Sequence, residues 1–466
     1  MLPRPRKMFE SGSVPGYHAQ AQRAIFAHAP IQPTDFILAS NRVMARILIV
    51  GKGGFGDMFP LFAIARELHA RGHAMTIAAE RHHQAACDVI DVPLVAVDEP
   101  SVDAIQAGVA PSGAHWQPDA LAAVRTLLAP HSLAREVDAL RPLAAGADLL
   151  IGNQLAYAGA IVRRLLGKPW VYCAASPLAL PSRLDPPRWP YLDAWQGRWP
   201  HRVGVQRAAL ILARCATRAL MRPQARLQRR LGLKVRGHPR FEGMYGESLN
   251  LLASSPRLSP PQRDWPAGAV VTGFPWFEPS FLGGDEQASR IAAFAGAGPR
   301  PIVFAPGGGL RAHPGRFFEE SVLAAERLGQ RAIIVAAKKF HGAFAGSSNV
   351  LVTGYLPYAR LFRYASVVVH SAGIGTLGWA LRQGVPSLVV PAEWDQFDNA
   401  WRAQRAGVAQ ALPLGQYQAE RIAEGIAGVQ ADCAMADRLA TLSPQIAAED
   451  GATVAADAIE RLLRQT

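Results

Sequence analysis

The stretch that decides the fold is Val367-Val-Val-His-Ser-Ala-Gly-Ile-Gly-Thr376. In it, β-branched residues are followed by a histidine and by a turn that contains glycines. It predicts a strand, a turn and the start of a helix, in that order. Such a turn points backbone N–H groups and the positive end of a helix dipole at an anion, and a diphosphate fits that description. The later stretch Pro391-Ala-Glu-Trp-Asp-Gln-Phe-Asp-Asn399 follows the next strand and offers polar groups for sugar hydroxyls. Together they suggest a protein that holds a nucleoside-diphosphate sugar.

The rest of the chain repeats this alternation of short apolar runs and helical spacing. An apolar run at 46–50 leads into a glycine-rich turn at 51–57 and a helix over 58–70. Further apolar runs occupy residues 75–78, 148–151, 170–173, 301–304, 332–335, 350–352, 366–369 and 387–390. This alternation predicts an α/β fold with parallel sheets covered by helices. Because 466 residues exceed one ordinary core, we expect two such domains.

Changes in composition suggest where the segments begin and end. Residues 1–43 mix proline, glycine and charge without periodicity, which suggests a poorly ordered extension or a true start at Met44. The expected segments after it are an N-terminal domain at 44–255, a proline- and glycine-rich linker at 256–285, a C-terminal domain at 286–435 and a helical tail at 436–466.

Composition also narrows the class of protein. No apolar run reaches the ~20 residues of a membrane span, and the N-terminus lacks the pattern of a secretory signal. The four cysteines are scattered and form no CxxC pair, so neither a disulfide framework nor a zinc site is indicated. The sequence has no Asp-x-Asp pair to bridge a metal to phosphate. We therefore expect a cytoplasmic protein that uses neither a metal nor another cofactor.

The formal net charge of +13 is concentrated at 201–240, a segment with many arginines and no Asp or Glu. Four of the arginines recur every four residues, at Arg214, Arg218, Arg222 and Arg226. On one helix they would form a stripe, although Pro223 argues against an unbroken helix. Apolar neighbours suggest peripheral contact with an anionic membrane surface, and a solvated surface is the alternative. We expect no nucleic acid as a partner, because no binding motif accompanies the charge.

His370 is the main candidate for binding a diphosphate. A lone histidine is more often a satisfied core residue, but this one stands directly before the glycine turn. Gly373 and Gly375 let the backbone approach an anion closely, and Thr376 adds a hydroxyl and a possible helix cap. The second glycine-rich loop, which contains Gly308, is predicted to line the same pocket with N–H groups.

Two further groups of residues follow strands of the same predicted domain. Asp395, Gln396 and Asn399 offer the donors and acceptors that sugar hydroxyls need, and a helix N-cap is the alternative. Tyr355 is placed to stack on a base, and Leu356 to read the edge of the base with its backbone. Core packing is the alternative for Tyr355.

Asp57 ends the first glycine turn and begins a helix. It can act as a helix N-cap, or as a general base at the carboxyl end of a central strand, where α/β folds bind ligands. An aspartate of ordinary pKa, ~3.9, is a weak base, so burial or geometry would have to help it. The turn matches neither GxGxxG nor the Walker pattern, so a tight βα turn is favoured over a phosphate site.

The C-terminal half resembles the nucleotide-sugar domain of GT-B glycosyltransferases of family 1. The matching segments are Gly354-Tyr-Leu-Pro357, residues 370–376, Gly384-Val-Pro386 and residues 391–400. The start of that family is similar to Gly56-Asp-Met-Phe-Pro60 with Arg71-Gly-His73. Residues 262–266 and 272–275 look like the entry to the second domain in rhamnolipid-type rhamnosyltransferases and sterol glucosyltransferases.

This resemblance implies GT-B architecture, with two Rossmann-like domains facing each other across a cleft. It places the donor mainly on the C-terminal domain and the acceptor mainly on the N-terminal one, with the tail packing back towards the first domain. It implies inverting, metal-independent transfer of a hexose or deoxyhexose. Asp57 then matches the acceptor-activating base, His370 the diphosphate ligand, and Asp395 with Gln396 the sugar-reading pair.

The resemblance points first to dTDP-rhamnose with a hydroxy-fatty-acid acceptor, and second to UDP-glucose with a lipid, sterol or polyketide. A lipophilic acceptor also fits Trp189, Trp195 and Trp199. Lys52 replaces a small residue near the acceptor-side turn, where its charge would reach a diphosphate or an acidic acceptor. Two alternatives are a nucleotide-sugar epimerase on the same fold and a catalytically silent partner subunit that binds a nucleotide sugar.

Overall fold

The computed structural model describes residues 44–97, 129–190, 192–198, 202–278, 281–307, 314–342 and 348–465. Within them, two parallel β-sheets are flanked by helices, one sheet in each half of the chain. The predicted α/β fold with two Rossmann-like domains is therefore confirmed. The boundaries predicted between the segments stay predictions.

The first sheet has the strand order β3-β2-β1-β4-β5-β6-β7. Its strands are β1 (Arg46–Val50), β2 (Ala74–Ala79), β3 (Leu94–Ala96), β4 (Leu149–Asn153), β5 (Trp170–Ala174), β6 (Leu249–Leu252) and β7 (Ala269–Val271). The α-helices described in this half are α1 (Phe55–Ala70), α2 (Gln84–Val89), α3 (Pro130–Ala145), α4 (Tyr157–Leu166), α5 (Asp193–Arg198), α6 (Val203–Leu220) and α7 (Arg222–Arg230).

The second sheet has the strand order β10-β9-β8-β11-β12-β13. Its strands are β8 (Ile302–Ala305), β9 (Ala332–Val335), β10 (Val350–Thr353), β11 (Val367–His370), β12 (Ser387–Val389) and β13 (Ala409–Ala411). The accompanying α-helices are α8 (Asp285–Gly296), α9 (Phe317–Arg327), α10 (Tyr358–Leu361), α11 (Ile374–Arg382), α12 (Gln396–Arg405), α13 (Ala419–Ala431), α14 (Cys433–Ala447) and α15 (Gly451–Leu463).

Strand β1 shows why these apolar runs become central strands. Ile47 and Ile49 belong to one buried cluster, on the face that α1 covers, whereas Leu48 and Val50 belong to another cluster on the opposite face. Because side chains alternate between the two faces of a strand, a strand buried on both faces must be apolar at nearly every position. The sequence Arg46-Ile-Leu-Ile-Val50 satisfies this requirement.

Strand order reverses once in each sheet, between two neighbouring strands. In the first sheet β1 pairs with both β2 and β4, and in the second β8 pairs with both β9 and β11. Connections leave in opposite directions on either side of such a point, which opens a crevice at the carboxyl ends of the two strands. The loops after β1, β4, β8 and β11 are therefore the places to look for ligand-binding groups.

Two segments differ in detail from what their composition suggested. The predicted linker at 256–285 contains β7, which completes the first sheet beside β6. The basic segment forms two helices, α6 and α7, that meet at Met221, so the four arginines share no single helix. Pro223 lies in the first turn of α7, as its missing N–H allows.

The C-terminal helix α15 packs against the first domain. Its Ala455 and Ile459 are buried in the same cluster as residues of α1. Arg71, just after α1, reinforces this contact through ion pairs with Asp457 at 2.6 Å and with Glu460 at 3.2 Å.

Candidate functional site

His370 ends β11 at the point where strand order reverses in the second sheet, and its side chain is fully buried. Its Nδ1 accepts a hydrogen bond of 3.1 Å from the backbone N–H of Ala372. Its Nε2 is buried and has no hydrogen-bond partner. Burial lowers the pKa of His370 to about 3, so the ring is neutral. With Nδ1 accepting, the remaining proton lies on Nε2, which is therefore a donor free for a ligand.

The loop after His370 is held in an unusual backbone conformation. Ala372 has a φ of 63°, which costs a non-glycine residue of the order of 1 kcal/mol or more. Side chains hold both of its peptide groups, because His370 accepts from its N–H and Asn399 donates 3.0 Å to its carbonyl. A Cβ added to Gly375 would meet no protein atom within 4 Å, so the loop has open space in front of it.

Helix α11 begins directly after this loop, with Gly373 as its N-cap residue. No side chain caps the helix, so the predicted cap at Thr376 is wrong, and Thr376 is the third residue of the helix. The first N–H groups of α11 are thus uncapped by side chains, as an anion site at a helix N-terminus requires. Gly308 lies outside the described residues, but Gly307 reaches this loop, since a Cβ there would lie 3.1 Å from the Ser371 hydroxyl.

The predicted sugar-reading residues lie at the start of α12, beside the same loop. Asn399 is buried, and its amide nitrogen donates to Asp395 at 2.8 Å as well as to the loop, whereas its buried Oδ1 has no hydrogen-bond partner among the described residues. Gln396 accepts from the backbone N–H groups of Ala392 and Glu393 at 2.9 and 3.1 Å and so fixes the turn before the helix. Asn399 and Gln396 act first as positioning residues in this structure.

Asp395 occupies the N-cap position of α12, yet its side chain does not cap the helix. Its carboxylate accepts a hydrogen bond from Asn399, and the side chain of Ser176, which follows β5 in the other domain, lies close enough to lower its pKa. Burial raises the pKa of Asp395, and the neighbouring Asn399 and Ser176 side chains oppose the rise. Asp395 is therefore a point where the two domains touch.

Tyr355 and Leu356 follow β10 at the far edge of the second sheet. Leu356 is buried, and the carbonyl oxygen of Tyr355 accepts from Gln287 at 3.1 Å. The ring of Tyr355 packs on Tyr358 with centroids 5.1 Å apart. Both residues are thus held in place by neighbours within their own domain.

Asp57 lies in the first turn of α1, beside the reversal of strand order in the first sheet. Gly54 is the N-cap residue of α1, so the N-cap interpretation of Asp57 is wrong. Its Oδ1 accepts a hydrogen bond of 2.7 Å from Gln154, which directly follows β4. Its Oδ2 lies over Gly53, where an added Cβ would approach it to 2.5 Å. Strands β1 and β4 thus hold one carboxylate between them.

Gln154 also links Asp57 to a cation. Arg240 donates a hydrogen bond of 3.3 Å to the backbone carbonyl of Gln154, and the phenol of Tyr172 lies close enough to influence its pKa. Burial lowers the pKa of Arg240, but the phenols of Tyr157 and Tyr172 outweigh that effect and raise it. The sequence placed Arg240 in the basic segment, yet the residue is partly buried near the candidate base.

A buried polar cluster lies behind the first glycine turn. Lys52 forms an ion pair of 3.0 Å with Glu136 of α3, and both side chains are more than nine-tenths buried. The prediction that Lys52 reaches a diphosphate or an acidic acceptor is therefore wrong in this structure. Burial raises the pKa of Glu80 to about 7, and burial together with His82 lowers that of His83 to about 4.

An interdomain network joins α12 to the segment that follows β5. Arg402 bonds both Asp185 of the first domain and Asp398 of its own helix, the latter at 2.8 Å. Asp398 also accepts 3.0 Å from the backbone N–H of Arg188. The guanidinium of Arg188 stacks 4.2 Å above the ring of Trp401. This network, which we call the clamp, holds the helix that carries Asp395, at its N-cap position, against the N-terminal domain.

The sequence missed Gln154, Arg240 and the clamp. Gln154 could have been found, because like Asp57 it lies in the turn that follows a predicted strand. Arg240 and Asp185 lie in segments without periodicity, so nothing in the sequence marks their place. No group of three or more His, Cys, Asp or Glu side chains suited to a metal occurs in the described ranges. That no metal takes part stays a prediction.

Comparison with known proteins supports the resemblance inferred from the motifs. Residues 324–462 match the family described as "Erythromycin biosynthesis protein CIII-like, C-terminal domain". The O-mycaminosyltylonolide 6-deoxyallosyltransferase of Streptomyces fradiae is 31% identical over 49% of this chain and 51% of that protein. The dTDP-epi-vancosaminyltransferase of Amycolatopsis orientalis is 26% identical over 77% of this chain and 83% of that protein. The chain thus spans about half the length of the first relative.

Solved structures share the fold. The spinosyn rhamnosyltransferase SpnG superposes with a TM-score of 0.61 at 21% identity, covering 90% of this chain and all of that one. It is also known in complexes with thymidine diphosphate and with spinosyn aglycone. The resemblance to GT-B glycosyltransferases and the GT-B fold are therefore confirmed, and the relatives are named as glycosyltransferases.

Proposed function

We propose that this chain is an inverting glycosyltransferase that moves a hexose or deoxyhexose from a nucleoside diphosphate to a hydroxyl of a lipophilic acceptor. The observation that carries the proposal is that Asp398 of α12, the helix beside the candidate diphosphate site, accepts a hydrogen bond of 3.0 Å from the backbone N–H of Arg188 in the opposite domain. The donor and acceptor sides therefore meet at the carboxyl ends of their sheets. The named activities of the relatives support the same reaction class.

The donor side is suited to a diphosphate. The Nε2 of His370, the open space at Gly375 and the uncapped start of α11 offer N–H donors to an anion. These donors stabilise the negative charge that grows on the leaving diphosphate. We propose that Asp395 accepts a hydroxyl of the donor sugar while Gln396 and Asn399 hold Asp395 and the loop in place. The base is proposed to lie against Tyr355 and Leu356.

The acceptor side is suited to proton removal. We propose that the acceptor hydroxyl lies at Asp57, which takes its proton as the oxygen attacks the anomeric carbon. The bond from that carbon to the diphosphate oxygen breaks with its electron pair on the diphosphate, which inverts the anomeric centre. Gln154 holds Asp57 in place through the 2.7 Å hydrogen bond. The thymidine diphosphate complex of SpnG favours a dTDP-sugar over a UDP-sugar as the donor.

Nucleotide binding tests the donor site. A nucleoside diphosphate at 100 times its dissociation constant adds roughly 2.7 kcal/mol of stability, which a thermal shift resolves. We expect stabilisation by dTDP or UDP, its loss in His370→Ala, and its retention in His83→Ala, which removes a buried histidine elsewhere. If no nucleotide stabilises the wild-type protein, or if both variants respond like it, the donor site is wrongly placed. Incubation with donor alone separates a transferase from an epimerase, which needs no acceptor.

We further propose that α6 touches an anionic membrane surface. Ile211 and Leu212 are 62% and 53% exposed, and they lie among exposed arginines that include Arg218 and Arg222. Apolar side chains flanked by arginines suit the interface of an anionic bilayer. No α-helix within the described ranges is long and apolar enough to cross a membrane.

Vesicle sedimentation tests this contact. We expect binding to phosphatidylglycerol vesicles but not to phosphatidylcholine vesicles, and its loss when Ile211 and Leu212 are both replaced by Glu. The control Leu323→Glu, at another exposed apolar residue, should still bind. Equal binding of all three proteins, or binding by none, would overturn the proposal.

A further inference from the structure

The carboxylate of Asp57 packs directly against the backbone of Gly53 in the first glycine-rich turn. The φ of Gly53 is 112°, and a Cβ added there would lie 2.5 Å from Oδ2 of Asp57. Glycine adopts such a φ without strain, and its missing side chain lets the carboxylate approach the backbone this closely. The position of Asp57 therefore depends on how the backbone of Gly53 is held.

Side chains that follow both neighbouring strands hold the two peptide groups that flank Gly53. From the end of β4, Asn153 donates 2.8 Å to the carbonyl of Lys52. After β2, Glu80 accepts from the N–H of Gly53 at 3.5 Å, and Nε2 of His83 lies 3.0 Å from the carbonyl of Gly53. The bond from His83 is the shorter of the two on the β2 side. It fixes the peptide that leads from Gly53 towards α1.

His83 lies between this turn and the helix that carries Asp57. Its side chain is fully buried, and its ring packs edge-to-face with Phe55 and Phe62 of α1, at centroid distances of 5.2 and 5.6 Å. Burial, together with His82, lowers the pKa of His83 to about 4, so the ring is neutral. Because a carbonyl oxygen only accepts, the proton of the ring lies on Nε2. His83 thus gives the turn a neutral hydrogen-bond donor.

The loop after β11 shows the same kind of support. There the backbone of Ala372, at a φ of 63°, is held by His370 at its N–H and by Asn399 at its carbonyl. The two buried histidines differ in what their Nε2 atoms face. In His370 this atom has no hydrogen-bond partner among the described residues, whereas in His83 it bonds the turn itself. His83 can therefore act on the reaction only through the residues that it holds.

We propose that His83 is a positioning residue for the transfer reaction, which holds the carbonyl of Gly53 so that Asp57 stays in reach of the acceptor hydroxyl. This inference rests on the proposed function, in which Asp57 takes the proton of the acceptor. His83 itself contacts no substrate. A displacement of about 1 Å in a reacting group can lower a rate about 100-fold, so one hydrogen bond behind the base has a measurable effect on the chemical step.

Two substitutions of His83 test whether the hydrogen bond matters. His83→Leu removes the donor and keeps an apolar side chain, whereas His83→Gln keeps an N–H group that can reach the carbonyl of Gly53. We expect kcat to fall about 10- to 100-fold in His83→Leu and to recover most of this loss in His83→Gln. The KM for the donor and the stabilisation by nucleotide should stay unchanged in both variants, which also shows that they are folded.

His73 supplies a matched control. It is buried in the same domain, and its Nδ1 accepts a hydrogen bond of 3.3 Å from the backbone N–H of Ala45. Ala45 directly precedes β1, at the opposite end of the strand from Asp57. His73→Leu therefore also removes a bond between a buried histidine and the backbone beside β1, and it should lower stability while keeping the wild-type kcat.

The Asp57→Asn variant separates positioning from a general loosening of the fold. Because residues that act as a unit are not additive, adding His83→Leu to Asp57→Asn should lower the remaining single-turnover rate less than about twofold. The inference is overturned by an equal fold loss with and without Asp57→Asn, by a wild-type kcat in His83→Leu, or by His83→Gln being no faster than His83→Leu. Each of these results leaves the transferase intact. A wild-type rate for Asp57→Asn would instead overturn the proposed function of Asp57.

Discussion

The loop after β11 and the loop after β1 both follow a central strand at a reversal of strand order, yet their polar groups come from different parts of the chain. On the donor side, His370 and the N-terminus of α11 lie within one contiguous stretch. On the acceptor side, Asp57, Gln154 and Arg240 come from three distant segments. The loop after β11 offers mainly backbone N–H groups, whereas the loop after β1 relies mainly on side chains. One contiguous motif therefore defines the candidate diphosphate site, whereas the candidate acceptor site depends on how distant segments meet in the fold.

The largest effect is expected at Asp57, because this residue is the proposed base of the chemical step. The substitution also separates that step from donor binding. Asp57→Asn keeps the oxygen that accepts from Gln154 but removes the base, so kcat should fall about 100- to 10,000-fold. Nucleotide stabilisation, which depends on the other domain, should stay unchanged. Single-turnover rates with a saturating donor provide the measurement.

An exposed carboxylate supplies the control for this substitution. Asp88 lies on the same domain and is exposed, so Asp88→Asn should keep the wild-type rate. A rate for Asp57→Asn within about threefold of wild type would mean that another group takes the proton or that the protein is a silent binding subunit.

The same contrast explains how much the sequence could predict. The fold class followed from apolar runs, and the donor loop from a contiguous motif, because adjacent residues in the chain stay adjacent in a turn. The strands β3, β6, β7 and β13 were missed because they lack the three consecutive Val, Ile, Leu or Phe residues that mark the equally short strands β8 to β12. Lys52 was misjudged because its partner Glu136 lies on a distant helix. The spacing of residues in the sequence does not reveal which side chains pair across the fold.

The next largest effect concerns the clamp, where the two domains meet. Arg402→Met would leave Asp398, which is fully buried, without the bond to its Oδ2. Removing one partner of a buried pair costs about 3–5 kcal/mol, whereas an exposed pair contributes about 0–1 kcal/mol. Arg405 also bonds Asp185, but its side chain is 43% exposed.

Comparing Arg402→Met with Arg405→Met therefore isolates the buried part of the clamp. Urea unfolding should show a large loss of stability for Arg402→Met and a small one for Arg405→Met. The first variant should also raise the KM for the donor, since α12 carries Asp395 and the clamp holds α12 in place. Equal stabilities for the two variants would show that the clamp does not join the domains in solution.

The smallest effect is expected from the polar cluster behind the acceptor-side turn, where two groups titrate in opposite senses. Burial raises the pKa of Glu80 from 4.5 to about 7, so between these values the folded protein binds more protons and loses stability as pH rises. Burial lowers the pKa of His83 from 6.5 to about 4, so in that window the folded protein binds fewer protons and gains stability as pH rises. Between pH 4.5 and 6.5, Glu80 and His83 therefore change the stability of the fold in opposite directions as pH rises.

Glu80→Gln removes the contribution of Glu80 to the pH dependence of stability and leaves the contribution of His83. Its amide oxygen can still accept from Gly53, while the contribution of His83 is no longer offset. The stability of Glu80→Gln should rise from pH 4.5 to 6.5 relative to wild type, by at most about 1.4 kcal/mol per pH unit for one proton. Urea midpoints at several pH values measure the difference, and the exposed Asp88→Asn serves as the control. Parallel pH profiles for Glu80→Gln and wild type would mean that Glu80 titrates normally, and that water reaches the cluster behind the turn that carries Asp57.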